Sequence, residues 1–178
     1  MNLNIRLATM ADIVAIMTLR NETATLLKER QIDQWQHREP SQTTFIKDIQ
    51  QQDLFVYEIN NKIVGMIAIK LGIEPTYNLI YDGKWRYEGP YITIHRLAVK
   101  RSFLGKNIAS ELLAFAHAEA IKKQVYVMRI DTHRDNRYAQ KLFLNHGYQE
   151  VGYILLEKDD LGDRHRLAFD CLLQGGKT

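Results

Sequence analysis

One cysteine, three prolines and the absence of any apolar run approaching a membrane span bound this 178-residue sequence before any motif is read. The lone Cys171, in an apolar strand-like run, excludes an intramolecular disulfide and reads as a buried core thiol rather than a catalytic one. No charged segment followed by an apolar one succeeds Met1, so the expectation is a cytoplasmic protein with no membrane partner. An excess of one charge is missing too: 24 basic residues against 21 acidic ones leave a formal net charge of +3. The two signs are intermixed, which removes the electrostatic basis for a nucleic-acid partner. The six histidines fall into no HxH, HxxxH or Cys/His spacing, so no metal is expected. What remains is ordinary globular material, 46 % hydrophobic and 25 % charged, of a size for one domain over residues 1–178.

Periodicity divides the chain into alternating elements. Leu3 to Ala8 alternates like a strand, and Thr9 with Asp12 three residues on reads as a helix start. The helical stripe of Ile13, Ile16, Met17, Ala24 and Leu27 is interrupted at Arg20, predicting one long or two broken helices to about Arg30. Ser41 opens a second helix through Phe45, Ile46 and Ile49. Strands over Leu54–Ile59 and Ile63–Lys70 flank Asn60-Asn61, a pair suited to a tight hairpin. Gly72 to Gly89 loses its period and gathers Tyr77, Tyr81, Trp85 and Tyr87, the signature of a long excursion. A strand over Tyr91–Val99, a helix over Gly105–Lys122, a strand over Val125–Asp131, a helix over Asn136–His146 and a strand over Gly147–Leu156 follow. The polar turn Lys158–Asp163 and a last strand, Arg164–Leu173, complete the order. A mixed sheet covered by helices is implied, an α/β (α+β mixed) class.

The segment from Val99 to Ala109 carries the strongest chemical signal. A buried strand turns through Gly105 and Asn107 into an amphipathic helix, which aims successive backbone N–H groups and the positive helix end at one point. Gly105 allows close approach, and Asn107 is among the few other residues that tolerate positive φ. An anion belongs there, and a nest of amides suits a pyrophosphate; the competing reading is an ordinary strand-to-helix turn. A Walker loop fails because Lys100 and Asn107 stand where Gly and Ser or Thr are required. A Rossmann fingerprint fails for want of its three spaced glycines.

With three linked pieces, nearly the whole chain from Leu3 to Leu173 resembles the GNAT family of N-acetyltransferases. His95-Arg96-Leu97-Ala98-Val99 resembles the family's central strand, and Leu104 to Ala109 resembles its (Arg/Gln)-x-x-Gly-x-(Gly/Ala) motif. Asn136 to Tyr148 resembles its Asn-x-x-Ala-x-x-Leu-Tyr-x-x-x-Gly-Phe motif. The resemblance implies a mostly antiparallel twisted sheet of about seven strands with about four helices, splayed between two central parallel strands. It implies acetyl-CoA as co-substrate, with the pantetheine arm along Leu97, Ala98 and Val99. The pyrophosphate would meet the amides of Leu104, Gly105, Lys106, Asn107, Ile108 and Ala109, and Asn136 would add a contact. For Asn136 a helix N-cap role is compatible.

The departures carry as much information as the matches. Leu104 stands at the Arg/Gln position and Asn107 at the middle glycine, while Lys100, Arg101 and Lys106 are candidate replacements for the lost charge. Phe143 stands where the family usually has the Tyr that protonates the departing thiolate. Tyr138 and Tyr148 are nearby alternatives, otherwise packing aromatics. An acceptor amine must lose a proton before attack, a task for which histidine is suited. His95 is the first candidate and resembles the catalytic histidine of the arylalkylamine branch. Alternation places it on one face with Thr93 and Leu97, and its competing role is to bond a core backbone group. His133 is the second candidate. For the acceptor pocket the sequence offers Trp35 and the aromatic loop Tyr77–Tyr87, with Glu22, Glu29 or Glu88 attracting the amine; the same loop could instead pack on the body or form a homodimer contact. The reading is direct acetyl transfer from acetyl-CoA to a primary amine of a small molecule or peptide. The alternative is a weakened acyl-CoA-binding or regulatory module.

Overall fold

The computed structural model describes residues 3–157 and 162–175. Strand β1 (Leu3–Leu7) leads to a corner at which the Thr9 N–H donates to the Asp12 carboxylate at 2.8 Å. Arg6 pairs with Asp12 at 2.8 Å and with Glu58 at 2.7 Å. Helix α1 (Ile13–Glu29) then runs without a break. Arg20 does not interrupt it; its guanidinium reaches the carbonyls of His37 at 2.9 Å and Pro40 at 3.1 Å, tying the helix to the loop that follows. Helix α2 (Gln42–Gln50) starts where Ser41 Oγ accepts the Thr44 N–H.

Strands β2 (Leu54–Ile59) and β3 (Lys62–Leu71) form the predicted hairpin, with Asn60 and Asn61 both in the left-handed region. After the excursion over 72–90 come β4 (Tyr91–Val99), α3 (Ile108–Lys122), β5 (Val127–His133), α4 (Arg137–Asn145), β6 (Gln149–Leu155) and β7 (His165–Leu172). Helix α3 starts three residues later than the periodicity predicts, because Gly105 and Asn107 hold φ of 76° and 65°, values a right-handed helix excludes. Of the polar turn predicted over Lys158–Asp163, residues 158–161 lie outside the described residues.

Among the described residues the strands form a seven-stranded sheet in the order β1-β2-β3-β4-β5-β7-β6, antiparallel except between β4 and β5. Helices α3 and α4 cover one face through Ile108, Leu112, Leu113, Ala116 and Phe143. On the other, α1 and α2 bury Ile16, Leu19, Phe45 and Ile49 against Val56, Met66 and Ala98. The excursion covers the rest of that second face, with Tyr77, Ile80 and Trp85 packed on Ile154 and Ala168.

The parallel pairing of β4 with β5 runs only from Tyr91 opposite Val127 to Ile94 opposite Ile130. Beyond it β4 continues on β3 to Val99 and β5 continues on β7 to His133, so the two central strands part. A bulge lies in the parted stretch of β4. Ala98 pairs with Met66 and His95 with Ala68, leaving Arg96 and Leu97 opposite Ile67 alone, with Arg96 at φ 53°. The bulge corrects the alternation read from the sequence. His95 stays on the face of Thr93, but Leu97 is moved to the opposite face, packing with Ile92, Ile94 and Val99 against the α3 core.

Candidate active site

A cleft of about 580 Å³ passes through the sheet where β4 and β5 part. From the α3–α4 face it is lined by Leu97, Asn136, Ala139 and Phe143, and from the other by His95, Glu74, Thr76, Asp131, Arg166 and the 34–40 loop. His95 lines it from the second face, that of Thr93. Its Nε2 lies 3.0 Å from Glu74 Oε2, so its partner is a carboxylate and not the core backbone group that the sequence left open. Burial works to raise the Glu74 carboxyl, but hydrogen bonds from His95 and Thr76 outweigh it and hold the group down at about 2. The Thr76 hydroxyl donates to Glu74 Oε1 at 2.6 Å, and the Glu74 N–H donates to the Tyr91 hydroxyl at 2.9 Å. An ionised carboxylate fixed in this way orients an imidazole and stabilises the imidazolium formed when that imidazole takes a proton. Beside it, the buried Tyr77 donates to Asp131 Oδ1 at 2.6 Å, bringing a second carboxylate into the cleft.

The bulge has its own support. Asp48, on α2 and 1 % exposed, meets Arg96 Nε at 2.7 Å with one oxygen and Lys70 Nζ at 2.6 Å with the other. These are contacts of charge rather than aligned hydrogen bonds, and they hold the left-handed Arg96 against α2. Consequently Arg96 and Leu97 have no partner in register on either neighbouring strand.

After β4, a short 3-10 turn at Arg101–Phe103 leads into the segment Leu104–Ala109. The Leu104 and Lys106 N–H groups close that turn on Arg101 and Phe103. Those of Gly105, Asn107, Ile108, Ala109 and Ser110 donate to no backbone acceptor among the described residues. A Cβ built on Gly105 would have no atom within 4 Å, so the turn presents an open surface of amides at the head of α3. This fits an anionic group such as a pyrophosphate. The segment lies outside the cleft lining, separated from His95 by the length of β4 beyond the bulge.

Other candidates from the sequence find different places. Asn136 caps α4 by accepting the Ala139 N–H at 3.2 Å and donates to Gln34 at 3.0 Å, while also lining the cleft. Ala98 is buried against the α1–α2 core and is not part of the cleft lining. His133 is 1 % exposed and does not line the cleft. Its Nδ1 accepts the Asp135 N–H and its Nε2 faces Asp163 at 3.1 Å, and burial, then Arg166, lowers its proton affinity. Tyr138 is exposed under Arg30, and Tyr148 is buried against His117, burial raising its hydroxyl well above the ordinary value. Neither lines the cleft.

Glu22 and Glu29 are engaged by Arg101, Glu22 through its backbone N–H and Glu29 through its guanidinium. Arg101 is therefore committed to α1, and Lys106 lies over the Phe103 ring. The aromatic loop packs on the sheet instead of lining the cleft. Arg86 clamps it to Asp170 at 2.6 Å, and Arg129 sits between the Trp85 and Tyr91 rings. From this excursion the cleft takes Glu74 and Thr76, which the sequence reading missed. The only local signal was Pro75, which restricts the residue before it to extended backbone.

A family model described as "Acetyltransferase (GNAT) family" matches residues 16–148. A comparison with curated proteins finds no match. Among solved structures, a GNAT-family acetyltransferase from Streptococcus agalactiae is 28 % identical with a TM-score of 0.86, covering 97 % of this chain and 96 % of that one. One from Listeria monocytogenes is 21 % identical, with a TM-score of 0.72 and coverage of 96 % and 95 %. The PaiA N-acetyltransferase of Thermoplasma acidophilum, solved with coenzyme A, is 17 % identical, with a TM-score of 0.69 and coverage of 97 % and 99 %. The last two show the shared fold.

Proposed function

The chain belongs to the acetyltransferase (GNAT) family, and from that premise we propose that it moves an acetyl group directly from acetyl-CoA to the primary amine of a small molecule or peptide. The observation that carries this reading is the His95–Glu74 pair set in the gap between the parted strands. His95 takes a proton from the incoming ammonium group, directly or through water, and Glu74 stabilises the imidazolium. The bulge takes Arg96 and Leu97 out of register with both neighbouring strands, and in this reading a backbone N–H of that stretch faces the developing oxyanion. Acetyl-CoA, when bound, supplies the acyl carbon: a C–N bond forms to it as the C–S bond breaks, and the CoA thiolate leaves and takes up a proton. The open amides over 104–110 suit its pyrophosphate, and Leu97 and Val99 border the path of its pantetheine arm. Phe143, 3 % exposed, lacks a proton to give, so in this reading the leaving thiolate is protonated by water.

We read residues 1–178 as one domain acting in the cytoplasm without a metal, and the homodimer remains part of this proposal. Thermal unfolding with and without acetyl-CoA tests the donor. A ligand at about a hundred times its dissociation constant adds roughly 2.7 kcal/mol, a shift of about 5 °C or more. Release of free thiol on addition of amines tests the transfer. No stabilisation sinks the donor assignment; stabilisation without thiol release from any acceptor leaves a binding module.

A further inference from the structure

Arg166 is 5 % exposed and lines the cleft, yet much of its hydrogen-bonding capacity is unused. Its Nη1 donates to the carbonyls of Asp163 at 2.5 Å and His165 at 3.1 Å. Its Nε and Nη2 donate to no acceptor among the described residues, and no carboxylate oxygen there comes within 4.0 Å of the guanidinium. The nearby acids are occupied. Asp163 faces His133 at 3.1 Å and Arg134 at 3.0 Å. Asp33 accepts the Asp163 N–H at 2.9 Å and faces His37 at 3.1 Å. Asp131 accepts from Tyr77. Neither Nε nor Nη2 of Arg166 is among the sealed polar atoms that lack a partner, so the free edge of the guanidinium opens onto the cleft that Arg166 lines, where an acceptor entering it can be met.

The sheet register says what that something should be. Asp131 pairs with Ala168 and His133 with Arg166 across β5 and β7, which makes Asp131 and Arg166 diagonal neighbours on the face that carries His95. By ordinary antiparallel spacing their Cβ atoms lie about 7 Å apart. Across the second face the cleft therefore presents His95 with Glu74, then Asp131, then Arg166: a proton acceptor and a carboxylate, then a cation. A molecule with an ammonium group next to an anion complements that order. The Nε–Nη2 edge of a guanidinium matches the two oxygens of a carboxylate.

We propose that Arg166 is the anchor for a carboxylate of the acceptor, so that the acceptor is an amino acid or a close analogue, acetylated on its amino group. The assignment rests on the acetyl-transfer reading above and narrows it.

The test measures acetyl-CoA-dependent thiol release with α-amino acids, the same compounds as primary carboxamides, and the corresponding decarboxylated amines. At least one amino acid should exceed its carboxamide in kcat/KM by tenfold to a hundredfold, roughly the loss when a buried charged donor is left without its acceptor. Arg166→Lys keeps the charge but not the planar fork. It should raise the amino-acid KM about tenfold and shrink the preference for the amino acid over its carboxamide by a similar factor, while the KM for acetyl-CoA stays within about twofold. Amines lacking a carboxylate that are acetylated as well as the amino acids overturn the anchor, as does acetyl-CoA stabilisation with no amino acid accepted. Failure of acetyl-CoA to stabilise the protein overturns instead the reading on which the anchor rests.

Discussion

At the scale of single residues, the cleft depends on two side chains from distant parts of the sequence, His95 on β4 and Glu74 in the excursion before it. His95→Ala is expected to cut acetyl transfer about a hundredfold at pH 7 and to recover part of the loss as pH rises and the amine deprotonates in solution. A pH–rate profile of variant and parent checks this, and an unchanged rate would assign the proton to water alone. Glu74→Gln keeps the shape but removes the ionised partner, so its loss should be smaller, on the order of tenfold. The sign on stability follows from the depressed Glu74 carboxyl, held at about 2 against an ordinary 4.5. Its contribution is fully present above pH 4.5 and is lost as pH falls towards 2. His95 was visible in the sequence because it sits in a strand with a strong apolar pattern. Glu74 was not, since Pro75 restricts its backbone but does not say that its side chain turns inward.

At the scale of elements, the bulge in β4 decides which backbone groups and side chains face the gap. It survives a left-handed Arg96 because Asp48 on α2 holds that side chain, with Lys70 of β3 as a second partner. Asp48→Ala leaves the partly buried Arg96 without its anion and Lys70 with only the longer contact to Asp53 at 3.7 Å. Since Lys70 and Arg96 keep 24 % and 17 % of their side-chain exposure, the cost should be about 2–3 kcal/mol, at or below the range for fully buried pairs. Urea titration reads the stability. Transfer measured well below the unfolding temperature should fall at least tenfold, through loss of the bulge geometry; activity that tracks only the folded fraction would count against that role. Bulges leave little trace in an alternating sequence, so Leu97 was assigned to the wrong face while Thr93 and His95 were assigned to the right one. The start of α3 was misplaced for a related reason: Ile108 onwards is helical in pattern, and only backbone geometry at Gly105 and Asn107 delays the helix.

At the scale of the whole molecule, the excursion over 72–90 has to dock on the outer strands for Glu74 and Thr76 to reach the cleft. Docking is close: Gly152 holds φ 139°, and a Cβ built there would stand 2.5 Å from the Tyr81 carbonyl oxygen. Gly152→Ala should therefore cost about 2–4 kcal/mol and lower transfer, because strain and clash both fall on the bridge between Tyr81 and Tyr153. Gly72→Ala is the control. Its φ is 125° but nothing lies within 4 Å, so the penalty there, on the order of 1–2 kcal/mol, is backbone strain alone. Equal losses in the two variants, read by denaturant titration, would remove the docking argument.

The sequence by itself determined the order of strands and helices, the Asn60-Asn61 turn, the turn of open amides before α3 and the family. Each of these is written in local pattern, in periodicity, turn residues or motif spacing. Only the tertiary structure decided where β4 and β5 part, after Ile94, that Glu74 is the partner of His95, that the aromatic loop packs on the sheet, and that Arg166 faces the cleft. Those outcomes depend on which side chains meet across strands and loops far apart in the chain. Burial, charge pairing and steric fit decide such meetings jointly, and no single stretch of sequence encodes them.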